Sequence, residues 1–169
     1  MVVKKAVKYI NYKSMKKENK QRLIDLETAH LKEKYPSMPE FALAKTKWSD
    51  SSANALTKSV MAFINLSGYQ AERINTTGMW RQGAKLKVGE GTRQMPGKWT
   101  KGTGTKGSAD ISSTINGRSV KLEIKYGKDR QSEDQARYQE MIEKAGGIYI
   151  IVKNFDDFIQ WFDLFISKD

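Results

Sequence analysis

The chain has 169 residues with 30 Lys or Arg against 19 Asp or Glu, and its net charge of +11 favours nucleic acid as a polyanionic partner over the generic surface of a Lys-rich protein. This length suits one domain with a hydrophobic core. The lack of Cys excludes disulfides and thiolate sites, and the single His removes most histidine metal sites and catalytic triads.

Residues 1–50 are predicted to be a basic, mostly helical N-terminal extension, because they hold 12 Lys or Arg against 6 Asp or Glu. Within them, Ser14 to Tyr35 has helical composition and a partial apolar stripe, and Pro36 follows directly. Residues 51–169 are assigned to one further domain.

That domain is predicted to open with a helix and a strand. Apolar side chains recur at three- and four-residue spacing from Ala53 to Leu66, and Gly68 ends the helix. Its N-cap is offered by Ser51, Ser52 and Asn54. The stretch Tyr69 to Thr76 then reads as a strand.

Residues 79–107 are predicted to be an irregular, basic loop. They contain seven Gly, two Trp and seven Lys or Arg against one Glu. Such a loop can follow a phosphate backbone, while its Trp side chains stack on exposed bases or brace the loop. The alternative interpretation is a flexible surface insertion.

A β-hairpin is predicted within Lys106–Tyr126, because Asn116-Gly117 suits a two-residue type I′ turn. The register of that turn places Asp110 opposite Glu123. Since side chains alternate along a strand, Lys125 lies on the same face as Glu123.

An acidic pair on this hairpin needs a positive charge beside it. Two carboxylates ~4 Å apart repel by on the order of 4 kcal/mol at an effective dielectric of about 20. A divalent cation fits, because Mg²⁺ takes carboxylate, carbonyl and water oxygens. Lys125 alone can also neutralise the pair, and the alternative is therefore a solvated, ion-paired Asp-Glu-Lys face.

The C-terminal part is predicted to form a helix, a strand and a helix. Ser132 and Gln135 form a Ser-x-x-Gln capping box at the start of the first helix. Its predicted buried stripe consists of Tyr138, Met141, Ile142 and Ala145. The apolar run Ile148–Val152 predicts an interior strand after a parallel crossover, and Asn154 can cap a last helix, Phe155–Ile166.

This plan resembles the VRR-NUC family of the PD-(D/E)XK nuclease superfamily over residues 53–163. The matching motifs are Arg73-Ile74-Asn75, Gly107-Ser108-Ala109-Asp110, Glu123-Ile124-Lys125, Ser132-Glu133-Asp134-Gln135 and Gly147 before an apolar strand. The resemblance implies an α/β fold with a restriction-endonuclease-like core. That core would be a mixed β-sheet of about four strands flanked by helices, in the order αβββαβ, after the N-terminal helical extension.

The resemblance also implies a metal-dependent DNA endonuclease. Asp110, Glu123 and the Ile124 carbonyl would hold Mg²⁺ or Mn²⁺, Lys125 would position the attacking water, and Gln135 would orient the water or a phosphate unless it serves only in the capping box. The DNA-binding residues would be Arg73, Asn75, Arg81, Lys85, Lys87, Lys106 and Ser108.

One departure from the family pattern concerns the first helix, which usually carries an additional acidic metal ligand. Here either Asp50 or Asn54 replaces that acid, or the remaining ligands hold the metal alone. The alternative function is a DNA-binding module on the same fold that does not cleave.

The expected partner is DNA, double-stranded or branched, and a homodimer is an expected way to cut both strands. No apolar run approaches membrane-spanning length, and the start Met1-Val2-Val3-Lys4-Lys5 is not followed by an apolar stretch and a cleavage site. We therefore expect a soluble, cytoplasmic protein without membrane contact.

Overall fold

The computed structural model describes residues 14–75, 78–89, 91–100, 102 and 104–167, and Met1–Lys13 of the predicted extension lie outside this part. The helices are α1 (Lys17–Lys34), α2 (Ala53–Leu66), α3 (Glu133–Lys144) and α4 (Phe155–Ile166), with a short 3-10 turn at Glu40–Ala42. The strands are β1 (Gln70–Arg73), β2 (Met79–Arg81), β3 (Lys85–Val88), β4 (Gly91–Gln94), β5 (Lys98–Thr100), β6 (Ile111–Ile115), β7 (Arg118–Ile124) and β8 (Ile148–Val152).

The central sheet is mixed and has four strands in the order β1-β6-β7-β8. β6 is antiparallel to both β1 and β7, whereas β8 is parallel to β7. The predicted α/β class, the four-stranded mixed sheet and the parallel crossover are therefore confirmed. The restriction-endonuclease-like type of core stays a prediction.

The helix boundaries follow from local capping. Ser52 accepts a hydrogen bond from the N–H of Ala55 at the start of α2, and Gly68 has a φ of +87° just beyond its end. Asn154 accepts from the N–H of Asp157 at the start of α4. These contacts satisfy helix-end donors that would otherwise lack partners.

The core lies between one face of the sheet and helices α1, α2 and α4. Phe63 of α2 is fully buried and meets the rings of Phe155, Phe158 and Phe162 edge-on, with centroids 5.2–5.9 Å apart. Leu23 of α1 is fully buried in the same cluster. The described part of residues 1–50 thus contributes to this core, while the boundary after residue 50 stays a prediction.

Two expectations about packing and one about the length of a strand are wrong. β8 is an edge strand rather than an interior one, and Ile151 is 39% exposed. No residue of α3 is buried, and Met141 and Ala145 are exposed, because α3 lies at the periphery over the β8 end of the sheet. The strand predicted at Tyr69–Thr76 spans Gln70–Arg73, so Tyr69, Ile74 and Asn75 lie outside it, and Thr76 is not among the described residues.

The prediction of an irregular loop at 79–107 is also wrong, because much of this segment forms β-strands. β2 pairs with β5, and the β3–β4 hairpin lies between them in the chain. Each pair is an antiparallel two-stranded ribbon separate from the central sheet. No helix in the described ranges is long and apolar enough to cross a membrane.

Candidate active site

The β6–β7 hairpin has the predicted turn and register. Asn116 and Gly117 have φ values of +48° and +70°, the combination that a type I′ turn requires. The pairing runs from Ile115 with Arg118 to Ile111 with Leu122. Continued by one residue, this register brings Asp110 to the position opposite Glu123.

Asp110 is held where the β6–β7 ladder ends. Its Oδ2 accepts a hydrogen bond from the Ile124 N–H at 2.9 Å. Its main-chain carbonyl accepts from the N–H of Ile74, just after β1, at 2.8 Å. The position of this carboxylate therefore depends on the ends of three strands.

Glu123 is buried, with 2% of its surface exposed. One carboxylate oxygen accepts from Lys125 Nζ at 3.0 Å and from Gln135 Nε2, and the other lies 3.4 Å from the hydroxyl of Tyr149. Burial raises the pKa of Glu123, and the nearby charge of Asp110 raises it further, whereas Lys125 lowers it. The carboxylate thus depends on its hydrogen-bond donors to stay ionised.

Lys125 is buried beside Glu123, with 6% of its surface exposed. Its Nζ also lies 3.4 Å from Asp129 Oδ2. Burial by itself lowers the pKa of Lys125, but the carboxylates of Glu123 and Asp129 outweigh burial and raise it. The ion pair of the alternative interpretation is therefore confirmed, but its solvation is wrong, because both Lys125 and Glu123 are buried.

Gln135 has both of the contacts that its two interpretations require. Its Oε1 accepts from the Ser132 N–H at 2.9 Å, and Ser132 Oγ accepts from the Gln135 N–H, which confirms the capping box. Its Nε2 donates to Glu123 Oε1. The cap therefore orients the amide of Gln135 towards the acidic pair.

The two proposed replacements for the helix acid are engaged elsewhere. Asp50 is buried and accepts from the N–H groups of Met15 and Phe155, so it ties the chain before α1 to the start of α4. Asn54 Oδ1 accepts from Arg73 Nη1 at 2.8 Å. Within the described ranges, no group of three or more His, Asp or Glu side chains is placed to hold a metal.

The predicted DNA contacts fall into two groups. Near the acidic pair, Arg73 is bound to Asn54, and Lys106 forms an ion pair with Asp134 at 2.8 Å. The Ser108 hydroxyl is buried and has no hydrogen-bond partner among the residues that the structure describes. A phosphate contact at Ser108 would require this hydroxyl to be uncovered. The exposed remainder of the predicted set consists of Asn75 after β1 and of Arg81, Lys85 and Lys87 on the ribbons.

Two residues around the acidic pair escaped the sequence analysis. Asp129 contacts Lys125 from the loop after β7, and its spacing of four residues offers only a weak signal outside a helix. Tyr149 contacts Glu123 because the parallel register places it opposite Lys121, two residues before Glu123. Burial, Glu123 and Asp110 together raise the pKa of the Tyr149 hydroxyl, so it stays protonated and can donate to Glu123.

No known protein-family model matches the chain, and its sequence matches no curated protein. The VRR-NUC resemblance therefore depends on the motifs and their order along the chain, and membership of that family stays a prediction.

Proposed function

We propose that this protein is a metal-dependent DNA endonuclease with a restriction-endonuclease-like core of the VRR-NUC type. The observation that carries the proposal is the convergence of Asp110, Glu123, Lys125 and Gln135 at one end of β7. Like charges repel and burial penalises both ions, so a carboxylate pair beside a buried lysine costs folding stability. A functional role for the group explains why such a costly arrangement is kept.

The donor set fits Mg²⁺ or Mn²⁺. Asp110 and Glu123 supply carboxylate oxygens, and the Ile124 carbonyl belongs to the same strand end. Mg²⁺ is commonly bound by one or two carboxylates, with water and substrate phosphate completing its shell. When bound, the ion would act as a Lewis acid and lower the pKa of a coordinated water.

Lys125 and Gln135 would position the reacting groups. The raised pKa of Lys125 keeps its ammonium charged, so it can hold a water by hydrogen bonding and stabilise negative charge on phosphoryl oxygens. Gln135 is fixed at the start of α3 by its capping bond to Ser132, and its Nε2 points at Glu123. Both groups are therefore oriented before substrate binds.

The charge distribution supports DNA as the substrate. The net charge is +11, and residues 79–107, which connect β1 to β6, carry seven of the basic residues against one Glu. Contacts from such residues to phosphates bind DNA with little sequence readout and strong salt dependence.

Cleavage of plasmid and branched DNA with Mg²⁺ or Mn²⁺ tests the proposal. We expect activity in the wild type, and its loss in Asp110→Asn and Lys125→Ala. Asp25→Asn on α1 and Lys121→Ala on β7 are matched controls, because Asp25 accepts a hydrogen bond from Gln21 and Lys121 donates to Ser112, away from the acidic pair. Equal cleavage by wild type and Asp110→Asn would refute the proposed site.

A second candidate function is a DNA-binding module that does not cleave. It is favoured by the absence of any acidic residue in α2 and by the structural engagement of Asp50. Salt-dependent DNA binding by the wild type, without cleavage in either metal ion, would support the module over the nuclease.

A further inference from the structure

The paired strands β2 and β5 form a two-stranded ribbon, the Trp ribbon, that carries two exposed tryptophans. Trp80 and Trp99 are direct cross-strand partners, so their side chains lie on one face of the ribbon. They are 60% and 57% exposed, although Trp side chains are highly buried on average. Two neighbouring aromatic rings of this exposure need an explanation other than core packing.

Glycines shape the ribbon around these indoles. A Cβ at Gly78 would lie 2.7 Å from the Trp99 ring, and a Cβ at Gly97 would overlap the Trp80 ring. Each glycine lies two residues from one Trp on its own side of the ribbon, which makes it the diagonal neighbour of the other Trp. Each indole therefore lies across the opposite strand, with one side against backbone and the rest open to solvent.

The ribbons also carry unpaired positive charge. Arg81 and Lys98 lie opposite each other on β2 and β5. The β3–β4 hairpin carries three further cations, Lys85, Lys87 and Arg93. In the part of the chain that the structure describes, none of these five cations forms an ion pair. Open aromatic rings beside free cations are complementary to nucleotides, which present a ring to stack and a phosphate to neutralise.

The insertion that carries the Trp ribbon is rooted beside the acidic pair. It leaves the sheet after Arg73 and re-enters at Ile111, and these two residues are paired. Close to its return, Gly107 packs so tightly on the start of α3 that a Cβ there would overlap the backbone of Asp134. A strand held by the ribbon would therefore be bound to an insertion whose two ends lie beside Asp110.

We infer that the Trp ribbon binds unpaired nucleotides of single-stranded DNA by stacking bases on Trp80 and Trp99. The inference rests on the proposed function for the choice of nucleic acid as ligand, and it names the substrate class as DNA with an unpaired segment. The basic residues of the two ribbons then follow the phosphates on either side of the stacked bases.

The first test compares two fluorescently labelled oligonucleotides by anisotropy, in the presence of EDTA so that no cleavage occurs. One is oligo-dT of about 15 nucleotides, and the other is an abasic strand of the same length, with the same phosphates and no bases. We expect the wild type to bind oligo-dT about tenfold more tightly than the abasic strand, because stacking requires the base. Equal affinity for the two strands would overturn the inference.

Substitutions test whether Trp80 and Trp99 cause the preference for oligo-dT over the abasic strand. Trp80→Ala with Trp99→Ala should abolish the preference for oligo-dT but leave the binding of the abasic strand unchanged, whereas the conservative double change to Phe should retain part of the preference. Phe41→Ala is the matched control, because Phe41 is 92% exposed on the turn at Glu40–Ala42. A preference that survives the double Ala variant would overturn the inference.

Two further measurements separate the possible failures. Asp110→Asn should lose cleavage and keep the preference for oligo-dT, so a failed nuclease assay leaves this inference standing. Sedimentation tests the competing occupant, a second copy of the chain. A dimer that becomes monomeric in the double Ala variant, without any base preference in the wild type, would overturn the inference.

Discussion

Replacing Lys125 with Met should expose the cost of burying Glu123. In the wild type, Lys125 Nζ lies 3.0 Å from a Glu123 carboxylate oxygen, and the two side chains are 7% and 2% exposed. Met preserves the length and most of the packing of the side chain but removes its charge. Glu123 must then stay buried as an unpaired carboxylate or take up a proton.

Protonation limits the loss of stability. Removing one partner of a buried ion pair typically costs about 3–5 kcal/mol. Protonating a carboxyl with an ordinary pKa of 4.5 costs about 3.4 kcal/mol at about pH 7, and about 1.4 kcal/mol less for each unit of lower pH. We therefore expect Lys125→Met to lose about 3 kcal/mol at about pH 7, and only about 1 kcal/mol at about pH 5.

Urea denaturation followed by circular dichroism, in the presence of EDTA, measures these differences. Lys121→Met is the control, because Lys121 lies on the same face of β7 and donates to the neutral hydroxyl of Ser112 at 2.6 Å. Its effect should be below about 1 kcal/mol and independent of pH. A pH-independent loss in Lys125→Met, or a loss no larger than in the control, would refute the reasoning.

Three other changes test separate parts of the structure. Asp50→Asn weakens the acceptor for the N–H groups of Met15 and Phe155 and should cost about 1–2 kcal/mol in urea denaturation while leaving Mn²⁺ binding unchanged; a loss of metal binding would make Asp50 a ligand instead. The folded-state pKa of Glu123 is raised, so the contribution of this carboxyl to stability is complete below pH 4.5 and is lost as the pH rises through the folded-state pKa. The free energy of unfolding of the wild type should therefore fall over this pH range relative to that of Glu123→Gln. Parallel pH curves for the two proteins would contradict this prediction. Gly107→Ala should cost about 2 kcal/mol, because φ is +79° and the added Cβ would overlap the start of α3; a wild-type melting curve would show that this packing is not maintained in solution.

The local parts of the fold could be predicted because short stretches of the chain determine them. Asn116-Gly117 favours positive φ at both turn positions, and this sets the register that aligns Asp110 with Glu123. Ser132 and Gln135 make their capping box from residues three apart. The elements that carry most of the candidate site were therefore predictable without knowledge of tertiary contacts.

The errors arose where distant parts of the chain decide the outcome. The apolar run of β8 does not reveal whether a further strand joins its outer edge, and the stripe on α3 does not reveal how much of the sheet the helix covers. The glycines of residues 79–107 suggested an irregular loop, but Gly78 and Gly97 leave room for Trp99 and Trp80 in a paired ribbon.

The surroundings of the acidic pair were only partly predictable for the same reason. Tyr149 reaches Glu123 through a parallel register that no hairpin turn specifies. Asp50 looked like a candidate metal ligand from its position before α2, but the ends of α1 and α4 come together at its carboxylate. Non-local chain contacts therefore decide which acidic residues remain available to a metal ion.

Calorimetric titration of Mn²⁺ tests the central claim most directly, since it examines the acidic pair before any choice of DNA substrate. We expect the wild type to bind Mn²⁺ and a folded Asp110→Asn, Glu123→Gln double variant not to bind it. Absence of binding to the wild type, with DNA present as well as without it, would contradict a metal-dependent nuclease at this site.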